Sequence, residues 1–352
     1  MIYYSVFIII ALLAFLDLLM PDIILQIIAI ILLVIIAGFR SYNVGPDTVK
    51  YIDDYHQILW GFSSPFSFEK GFYLIEKLSA IFHLPIYGFF LIVAALTMIF
   101  LSISFRKYTS LPLLATLLYF VRFYLNRDLN QIRSGISSVI VLFSINYIYQ
   151  KKPVKFVLTV LIAGQFHTGA YVMLLTYPIY FLVIKLKSKI IYLYPIILIM
   201  ASFFSFEIKN LLVQVIDIVG EGSTYITYSD YVQGSGLLNP VLLMQIFVSL
   251  TALYVCLKKK QTEKLIYTII VVYMVSTIVL VLLSQYSVLA GRTSTILATC
   301  EPIITIYLFR SFMPKLGTTF LGILLAFVIF YVLFISTGQL GLNFEPYYFS
   351  LK

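Results

Sequence analysis

Long apolar stretches, separated by short polar breaks, follow one another along nearly the whole chain. Each is about 15 to 20 residues long, which as a helix is the length that crosses a hydrocarbon core of about 30 Å. Backbone groups in lipid must pair within their own segment, so these stretches predict helices and an all-α polytopic membrane protein. About twelve transmembrane helices are predicted, at residues 2–17, 22–39, 86–104, 111–125, 131–149, 154–166, 168–184, 190–206, 239–257, 265–284, 294–309 and 316–336.

The basic residues in the polar segments between the apolar stretches predict the orientation in the membrane, because lysine and arginine concentrate in cytoplasmic loops. Basic residues cluster at 106–107, 151–155, 185–189, 258–264 and 310–315. These clusters share one side only if residues 154–184 form a hairpin, broken at 164–167, rather than one long helix. The hairpin places both termini outside, together with the segments 40–85 and 207–238, in a single integral membrane domain over residues 1–352.

The outer segment 40–85 is too polar to span the membrane but contains an amphipathic pattern. In KGFYLIEKLSAIF, one helical face carries Phe72, Ile75, Leu78 and Phe82, and the other carries Glu69, Lys70, Glu76 and Lys77. This predicts an interfacial helix, lying along the membrane surface. Residues 208–219 have a similar pattern. After them, Tyr225, Tyr228 and Tyr231 are consistent with stacking on sugar rings or with anchoring at the membrane interface.

The composition supports the membrane class. The chain is 61% hydrophobic and 11% charged, with a mean hydropathy of +1.01. Its net charge of +9 lies mostly in short loops, so it indicates orientation rather than nucleic-acid binding. The first apolar run lacks the basic start and small-residue cleavage site of a signal peptide, and is interpreted as a helix that stays. Cys256 and Cys300 lie in apolar segments and are interpreted as packing residues.

The arginines do not follow the orientation pattern. Five of the seven lie on the predicted outer side, at Arg40, Arg122, Arg127, Arg133 and Arg292. Orientation does not require arginine over lysine, whereas two-point binding of phosphate or carboxylate does, because the guanidinium is a planar fork. The distribution favours an anionic substrate on the outer side. The alternative is that some of these arginines pair with outer acidic residues.

The segment GFRSYNVGPDTVKY, residues 38–51, combines an arginine with an aspartate across a turn. Gly45-Pro46 predicts the turn. The turn folds the chain back, so Asp47 is expected near the helix end that carries Arg40. The alternative is an Arg40 that snorkels to the interface and forms a salt bridge with Asp47.

Two further segments carry candidate chemistry. In RFYLNRDLNQIRSGIS, residues 122–137, Arg133 lies in the first turn of an apolar helix. A helix N-terminus and an arginine together favour an anion. The alternative, a solvated turn, suits Arg122 and Asp128 better than Arg133. In GQFHTG, His167 lies at the predicted break between two apolar half-segments, as a functional group or as a packing residue at a helix end.

The remaining signals are weaker. Gln285 and Arg292 lie in a predicted outer loop, and Glu301 lies in the next helix without an identifiable partner. The sequence has no GxxxxGK, GxGxxG, HExxH or GxSxG motif. Asp53 and Asp54 are adjacent and lack the DxD spacing of sugar-nucleotide enzymes. No metal site and no cofactor are predicted.

Three of these segments resemble the EpsG family of exopolysaccharide proteins. AGFRSYNVGPDTVKY resembles the family's GxR…VGxDxxxY segment, LNQIRSGIS its qiRqaiA segment and FHTGA its FHxsA segment. They occur in the expected order over the first half of the chain. Ser134-Gly135 replace the usual Gln-Ala after the arginine. The family is similar to the Wzy-type O-antigen and capsule polymerases of bacterial inner membranes.

The resemblance implies an enzyme that joins polyprenyl-pyrophosphate-linked oligosaccharide repeats at the periplasmic face of the inner membrane. It implies a fold like that of the GT-C-type glycosyltransferases, with interfacial helices in the first outer loop. Membrane lipid, a chain-length regulator and a flippase are the implied partners, without nucleic acid. The residues that match the family's motifs are Arg40, Gly45, Asp47, Tyr51, Arg133 and His167.

Residues and resemblance together give one hypothesis for the reaction. The arginines assigned to the donor pyrophosphate are Arg40, Arg127, Arg133 and Arg292, which would stabilise the leaving diphosphate. Asp47 or His167 is the general base for the acceptor hydroxyl, with His167 favoured because imidazole titrates near neutral pH. Gly45 and Tyr51 shape the site.

Two other classes would share some of these residues. A flippase of the same lipid-linked oligosaccharide would share the arginines, but transporters often consist of two related halves, and the chain shows no internal repeat. A membrane acyltransferase or ligase acting on the polysaccharide would also centre on a histidine. It would need an acyl-donor site, for which the sequence gives no signal.

Overall fold

The chain is mainly helical over the residues that its computed structural model describes, which are 2–62, 68–219, 236–259 and 264–349. No strand occurs among these residues, and one isolated bridge joins Arg40 to Phe349. The helices are α1 (Ile2–Leu19), α2 (Ile23–Gly38), α3 (Thr48–Leu59), α4 (Lys70–Ile81), α5 (Ile86–Tyr108), α6 (Pro112–Tyr119), α7 (Leu125–Arg127), α8 (Ile132–Tyr149), α9 (Pro153–Gly164), α10 (Thr176–Leu186), α11 (Ile190–Val219), α12 (Pro240–Lys258), α13 (Lys264–Leu282), α14 (Ser287–Ala298), α15 (Glu301–Phe312), α16 (Lys315–Phe330) and α17 (Gln339–Asn343).

Seven helical stretches within the described residues are long and apolar enough to cross a membrane. They are Ile2–Leu19, Ile86–Tyr108, Ile132–Tyr149, Thr168–Glu207, Pro240–Lys258, Lys264–Leu282 and Lys315–Ile335. An eighth is added if α14 and α15, which meet at an angle of 55°, form one broken span. The chain is therefore an integral membrane protein, as its apolar pattern predicted. The count of twelve helices and the GT-C-like arrangement stay predictions.

The prediction of an outer loop leading to a single helix at 294–309 is wrong. Residues 287–298 form α14, and α15 begins after a break at residues 299–300. The hydroxyls of Thr293, Ser294 and Thr295 each donate to the carbonyl four residues earlier. These polar side chains indicated a loop in the sequence, but their hydrogen bonds are satisfied within the helix.

Residue contacts divide the chain into two compact units. The first unit comprises Met1–Phe143, Leu161–Thr168 and Thr305–Lys352, and the second comprises Ser144–Val160 and Gly169–Ile304. In the second unit, α13 is buried around most of its circumference, as its continuous apolar sequence requires. The Tyr273 hydroxyl on α13 donates to Glu301 Oε2 at 2.9 Å, which supplies the partner that the sequence could not identify.

The first unit is built around α6 and the π-helical turn Phe120–Tyr124 that continues it. Every residue from Leu113 to Val121 is buried, and α1, α2, α5 and α16 all pack against α6. A helix that is apolar on all sides is stable only when it is enclosed in this way. The chain then passes through α7 to α8, so the buried centre of the unit positions Arg133 in the first turn of α8.

Two amphipathic helices, α3 and α4, confirm the helical pattern predicted in the segment 40–85. The predicted faces of α4 are wrong. Glu76 is buried beside Phe72, whereas Leu78 and Phe82 are 46% and 72% exposed. The helix buries a mixed face against the first unit and leaves a second, apolar face open, which suits a helix lying in a membrane interface.

The second predicted interfacial helix is not a separate element. The backbone of residues 208–219 continues α11, which is unbroken from Ile190 to Val219. At about 1.5 Å per residue, a helix of 30 residues is about 45 Å long, more than a hydrocarbon core requires. The predicted sugar-stacking residues Tyr225, Tyr228 and Tyr231 lie outside the described residues.

Candidate functional site

The turn after α2 is fixed by Gly45. Its φ is +83°, in the region that favours glycine, and a Cβ atom there would lie 2.0 Å from the Leu129 carbonyl oxygen. The Gly45 N–H donates to the Asn343 carbonyl at 2.8 Å, and the Asp47 N–H donates to Asn130 Oδ1 at 2.7 Å. The predicted turn is therefore held between the chain that precedes α8 and the C-terminal segment.

Arg40 lies just beyond the end of α2 and is only 2% exposed. Its Nε donates to Thr48 Oγ1 at 3.2 Å, its Nη1 donates to the Ala37 carbonyl at 2.7 Å, and its guanidinium lies 3.8 Å from the centre of the Phe90 ring. Nη2 is buried without a hydrogen-bond partner among the described residues. Burial lowers the pKa of Arg40 to about 10, so the group is charged at neutral pH. A buried charge with an unpaired donor is costly and is suited to receive an anion.

The predicted proximity of Asp47 to Arg40 does not produce an ion pair. Asp47 pairs instead with Lys50, one helical turn further on, at 3.5 Å. Thr48 occupies the position next to Arg40 because its side chain points into the unit, where its hydroxyl also donates to the Val44 carbonyl. Asp47 therefore lies on the more open side of the turn, and Thr48 is the residue that orients Arg40.

Arg40 lines a cavity of about 400 Å³ between α3 and α5. Most of the wall is aromatic or aliphatic, with Ile52, Tyr55, Tyr87 and Phe90 among the lining residues. The volume falls within the range of about 300–1,000 Å³ typical of small-molecule sites. A cavity that combines a buried cation with an apolar wall suits a ligand that is anionic at one point and apolar elsewhere.

Arg133 forms a second cationic centre. Its Nη1 donates to Glu69 Oε2, it hydrogen-bonds with the Tyr51 hydroxyl, and its guanidinium lies 4.3 Å from the centre of the Phe68 ring. The side chains of Arg133 and Glu69 are 21% and 8% exposed. Burial raises the pKa of Tyr51, and Arg133, together with a smaller effect of Arg40, opposes that rise. We name Arg40, Tyr51, Glu69 and Arg133 the arginine cluster.

The break after α9 docks against the start of α4. The Gly71 N–H donates to the Gln165 carbonyl at 2.8 Å, and a Cβ atom on Gly71 would lie only 2.8 Å from that oxygen. Glycine is therefore required for the close approach of the two backbones. The Thr168 N–H donates to Glu69 Oε1 at 3.2 Å. The partly exposed His167, one residue earlier, thus lies beside the arginine cluster, at a helix break that confirms the predicted one.

Arg127 and Arg292 have different surroundings from Arg40 and Arg133. Arg127 is 3% exposed, donates to Ser138 Oγ at 3.0 Å and lies 4.4 Å from the centre of the Phe123 ring, so it packs within the first unit. Arg292 belongs to α14 of the second unit and is partly exposed. The predicted binding of pyrophosphate by these two arginines stays a prediction.

Glu69 is a site residue that the sequence did not identify. Its place on the polar face of KGFYLIEKLSAIF indicated a solvated carboxylate, and its partner Arg133 is 64 residues away. The alternative interpretation of the outer arginines, that they pair with outer acidic residues, holds for Arg133. The sequence showed that acidic residues were available on the predicted outer side, but nothing in the local pattern distinguished Glu69 from its neighbours.

A second carboxyl pair joins α3 to α4 inside an apolar cluster around Tyr55 and Phe72. Asp54 and Glu76 are both 0% exposed, and no described N–H group donates to either Glu76 oxygen. The two side chains hydrogen-bond with each other, which requires a shared proton because carboxylates only accept. Burial first, and Asp54 second, raise the pKa of Glu76 to about 9, and Arg133 opposes this. Glu76 therefore holds a proton at neutral pH.

Glu76→Gln is expected to make stability less dependent on pH. Folded Glu76 keeps its proton up to about pH 9, whereas unfolded glutamate loses it near 4.5, so wild-type stability falls as pH rises between these values. Glutamine keeps the polar contact without a titrating proton. The unfolding temperature in detergent is expected to exceed that of wild type at about pH 8 and to change less with pH.

Asp53→Asn, on the exposed side of α3, is the matched control for this measurement. It removes a carboxylate one residue from Asp54 without touching the buried pair, so its pH profile is expected to follow that of wild type. A Glu76→Gln profile that also follows wild type would contradict the shared proton.

Fold and site together define a class: an integral membrane protein in which a buried arginine lines a largely apolar cavity. The EpsG family profile matches residues 23–349, and the chain belongs to the EpsG family. It is 22% identical over 296 residues to the amylovoran biosynthesis protein AmsC of Erwinia amylovora, covering 80% of this chain and 77% of that protein. No solved structure matches the chain. The family resemblance of three short segments is thus confirmed and extends through the second half.

Proposed function

We propose that the protein polymerises polyprenyl-pyrophosphate-linked oligosaccharide repeats into an exopolysaccharide or O-antigen, at the periplasmic face of the inner membrane. Its family and a relative named for amylovoran biosynthesis support a role in making polysaccharide. The observation that carries the proposal is Arg40, a buried guanidinium with an unpaired Nη2 that lines a largely apolar cavity. A polyprenyl pyrophosphate has the matching parts, an anionic headgroup on an apolar chain.

The proposed reaction is glycosyl transfer from a lipid diphosphate to a sugar hydroxyl. The acceptor oxygen bonds to the anomeric carbon of the donor as the bond from that carbon to the diphosphate oxygen breaks. The electron pair of the broken bond leaves with the diphosphate. Arg40 and Arg133 stabilise the negative charge that develops there, and preorganised charge of this kind commonly contributes more to catalysis than any other single effect. The proton of the acceptor hydroxyl passes to a general base.

His167 is the favoured base. It directly precedes Thr168, whose N–H donates to Glu69, so the histidine lies next to the arginine cluster. The Ser137 hydroxyl donates to the carbonyl of Ala163 at 2.9 Å and to that of His167 at 3.5 Å, which holds the backbone at the break. Asp47, ion-paired with Lys50 on the open side of the turn, is the second candidate.

The test is polymerisation by the purified protein in liposomes. Wild type, given the lipid-linked repeat of its own host without nucleotide, is expected to produce a ladder of products on a gel. Arg133→Ala is expected to abolish the ladder, and His167→Ala to slow its formation by about 10²–10⁴, the usual contribution of a general base.

Three outcomes would contradict parts of this proposal. Ladders of equal strength from wild type and both variants would keep the polymerase and reject the two residues. No ladder from wild type would reject the polymerase. Transfer of the intact lipid-linked repeat to the opposite leaflet, without polymer, would identify a flippase.

A further inference from the structure

The Arg40 cavity contains a second group that can carry positive charge. Its described lining residues include the imidazole of His56 and the phenol rings of tyrosines, and none of them is a carboxylate. Among these residues only Arg40 and His56 have side chains that can be cationic. Arg133 and His167 are not among them, so neither supplies the second cation of this cavity.

One face of α3 connects the two groups. Thr48, Ile52 and His56 are spaced four residues apart, so they lie on the same side of the helix. Thr48 accepts a hydrogen bond from Arg40 Nε at 3.2 Å, whereas Ile52 and His56 line the cavity. At about 1.5 Å per residue, Thr48 and His56 are about 12 Å apart along the helix axis. Arg40 and His56 therefore approach the cavity from different points along α3.

The His56 ring is held by its neighbours on α3. It stacks on the ring of Trp60, with centroids 5.7 Å apart and planes inclined by 22°. The preceding Tyr55 donates its hydroxyl to the Leu84 carbonyl at 2.6 Å, which fixes this turn of α3 against the segment that leads into α5. Stacking uses the face of the imidazole, so both ring nitrogens, at its edge, are left for polar contacts.

We propose that the Arg40 cavity binds a diphosphate at two points, with Arg40 on one phosphate and the imidazole of His56 on the other. The identity of the ligand, a polyprenyl diphosphate, rests on the proposed function. A lipid monophosphate has one anionic group and pairs with Arg40 alone, through the unpaired Nη2. His56 is therefore the residue that selects a lipid diphosphate over the corresponding monophosphate.

The test is a competition between the two lipids. Purified protein in detergent is mixed with equal amounts of undecaprenyl diphosphate and undecaprenyl monophosphate, and the bound lipids are counted by native mass spectrometry. Wild type is expected to favour the diphosphate by at least about tenfold, the contribution of one hydrogen bond to a charged group. His56→Phe keeps a ring against Trp60 but removes both nitrogens. It is expected to bring the ratio close to one while monophosphate binding is unchanged.

Further variants separate the two contacts. Arg40→Ala is expected to weaken the binding of both lipids, because both place a phosphate on Arg40. His56→Gln keeps an N–H donor and is expected to restore part of the preference. His83→Asn changes an exposed histidine that does not line the cavity, at a φ of +48° that asparagine tolerates, and is expected to behave as wild type.

Three results would overturn the inference. A wild type that binds both lipids equally would reject the two-point site. A preference that survives His56→Phe would reject the imidazole as the second contact. An equal loss of both lipids in His56→Phe would show that His56 only shapes the cavity. Should His56→Phe lower the unfolding temperature, His56→Ala gives the same comparison with a smaller side chain, and the same loss of preference is expected.

The polymer ladder distinguishes this inference from the proposed function. If wild type makes polymer but shows no preference for the diphosphate, the two-point site fails and the polymerase stands. If wild type makes no polymer, but prefers the diphosphate and loses that preference in His56→Phe, the proposed function fails and the two-point site stands.

Discussion

Arg40→Ala is expected to abolish polymerisation while leaving the protein folded and no less thermostable than wild type. Loss of one preorganised group that stabilises developing charge costs about 10²–10³ in rate. Stability is expected to hold because the variant loses two hydrogen bonds but also removes a buried charge with an unpaired Nη2. Loss of activity without loss of stability is the result expected for a residue that is kept for function at the expense of stability. The measurements are the polymer ladder and the unfolding temperature in detergent.

Two further variants serve as comparisons for the Arg40→Ala result. Arg40→Lys keeps the charge but cannot reach Thr48, Ala37 and an anion at once, so only a small part of the activity is expected to return. Arg310→Ala removes an exposed arginine that donates to the Met313 carbonyl, and is expected to polymerise like wild type. An Arg40→Ala protein that unfolds at a much lower temperature would show that Arg40 is structural. One that polymerises normally would remove Arg40 from the site.

Glu69 and Arg133 are expected to be strongly coupled in stability. Glu69→Ala leaves a largely buried cation without its carboxylate, and breaking such a pair costs about 3–5 kcal/mol. Arg133→Ala leaves Glu69 with the hydrogen bond from the Thr168 N–H but without its ion pair. The double variant is expected to lose less than the sum of the two, with a coupling energy of about 0.5–3 kcal/mol. Denaturant titration of the four proteins in micelles gives the cycle.

The exposed pair Asp47–Lys50 supplies the control for this cycle. The Lys50 side chain is 61% exposed, so Lys50→Ala is expected to change the free energy of unfolding by less than about 1 kcal/mol. Additive effects of Glu69→Ala and Arg133→Ala would mean that the contact contributes nothing specific. In that case Glu69 would not be a residue that positions Arg133.

The sequence predicted the features that depend on local pattern. Apolar length alone identifies the membrane helices, because lipid forces each such segment to pair its own backbone. The turn at Gly45 and the break before His167 were also predictable, since Gly-Pro and an interrupted apolar run mark them directly. The position of Arg133 in the first turn of its helix was predictable for the same reason. Each of these features is set by residues within one or two helical turns.

Features that depend on distant partners were not predictable. The pattern of α4 indicates a solvated face for Glu76, because its partner Asp54 and the surrounding aromatic cluster come from other elements. Charge alone favours Asp47 as the partner of Arg40, but a hydroxyl one residue later is turned towards it. The sequence of α14 indicates a loop because serine and threonine are also common in turns. In the structure their hydroxyls bond to carbonyl groups of their own helix instead.

The close packing of the C-terminal segment beside the Gly45 turn has a consequence for biogenesis. The Gly45 N–H pairs with the Asn343 carbonyl, Tyr3 donates to the Phe344 carbonyl, and Arg40 bridges to Phe349. The first helices enter the membrane long before these partners are translated. Until then the backbone of Arg40 and Gly45 lacks these partners. The contacts that hold the Gly45 turn are therefore completed by the last part of the chain to be inserted, so a chain released early from the ribosome leaves this turn without its C-terminal anchor.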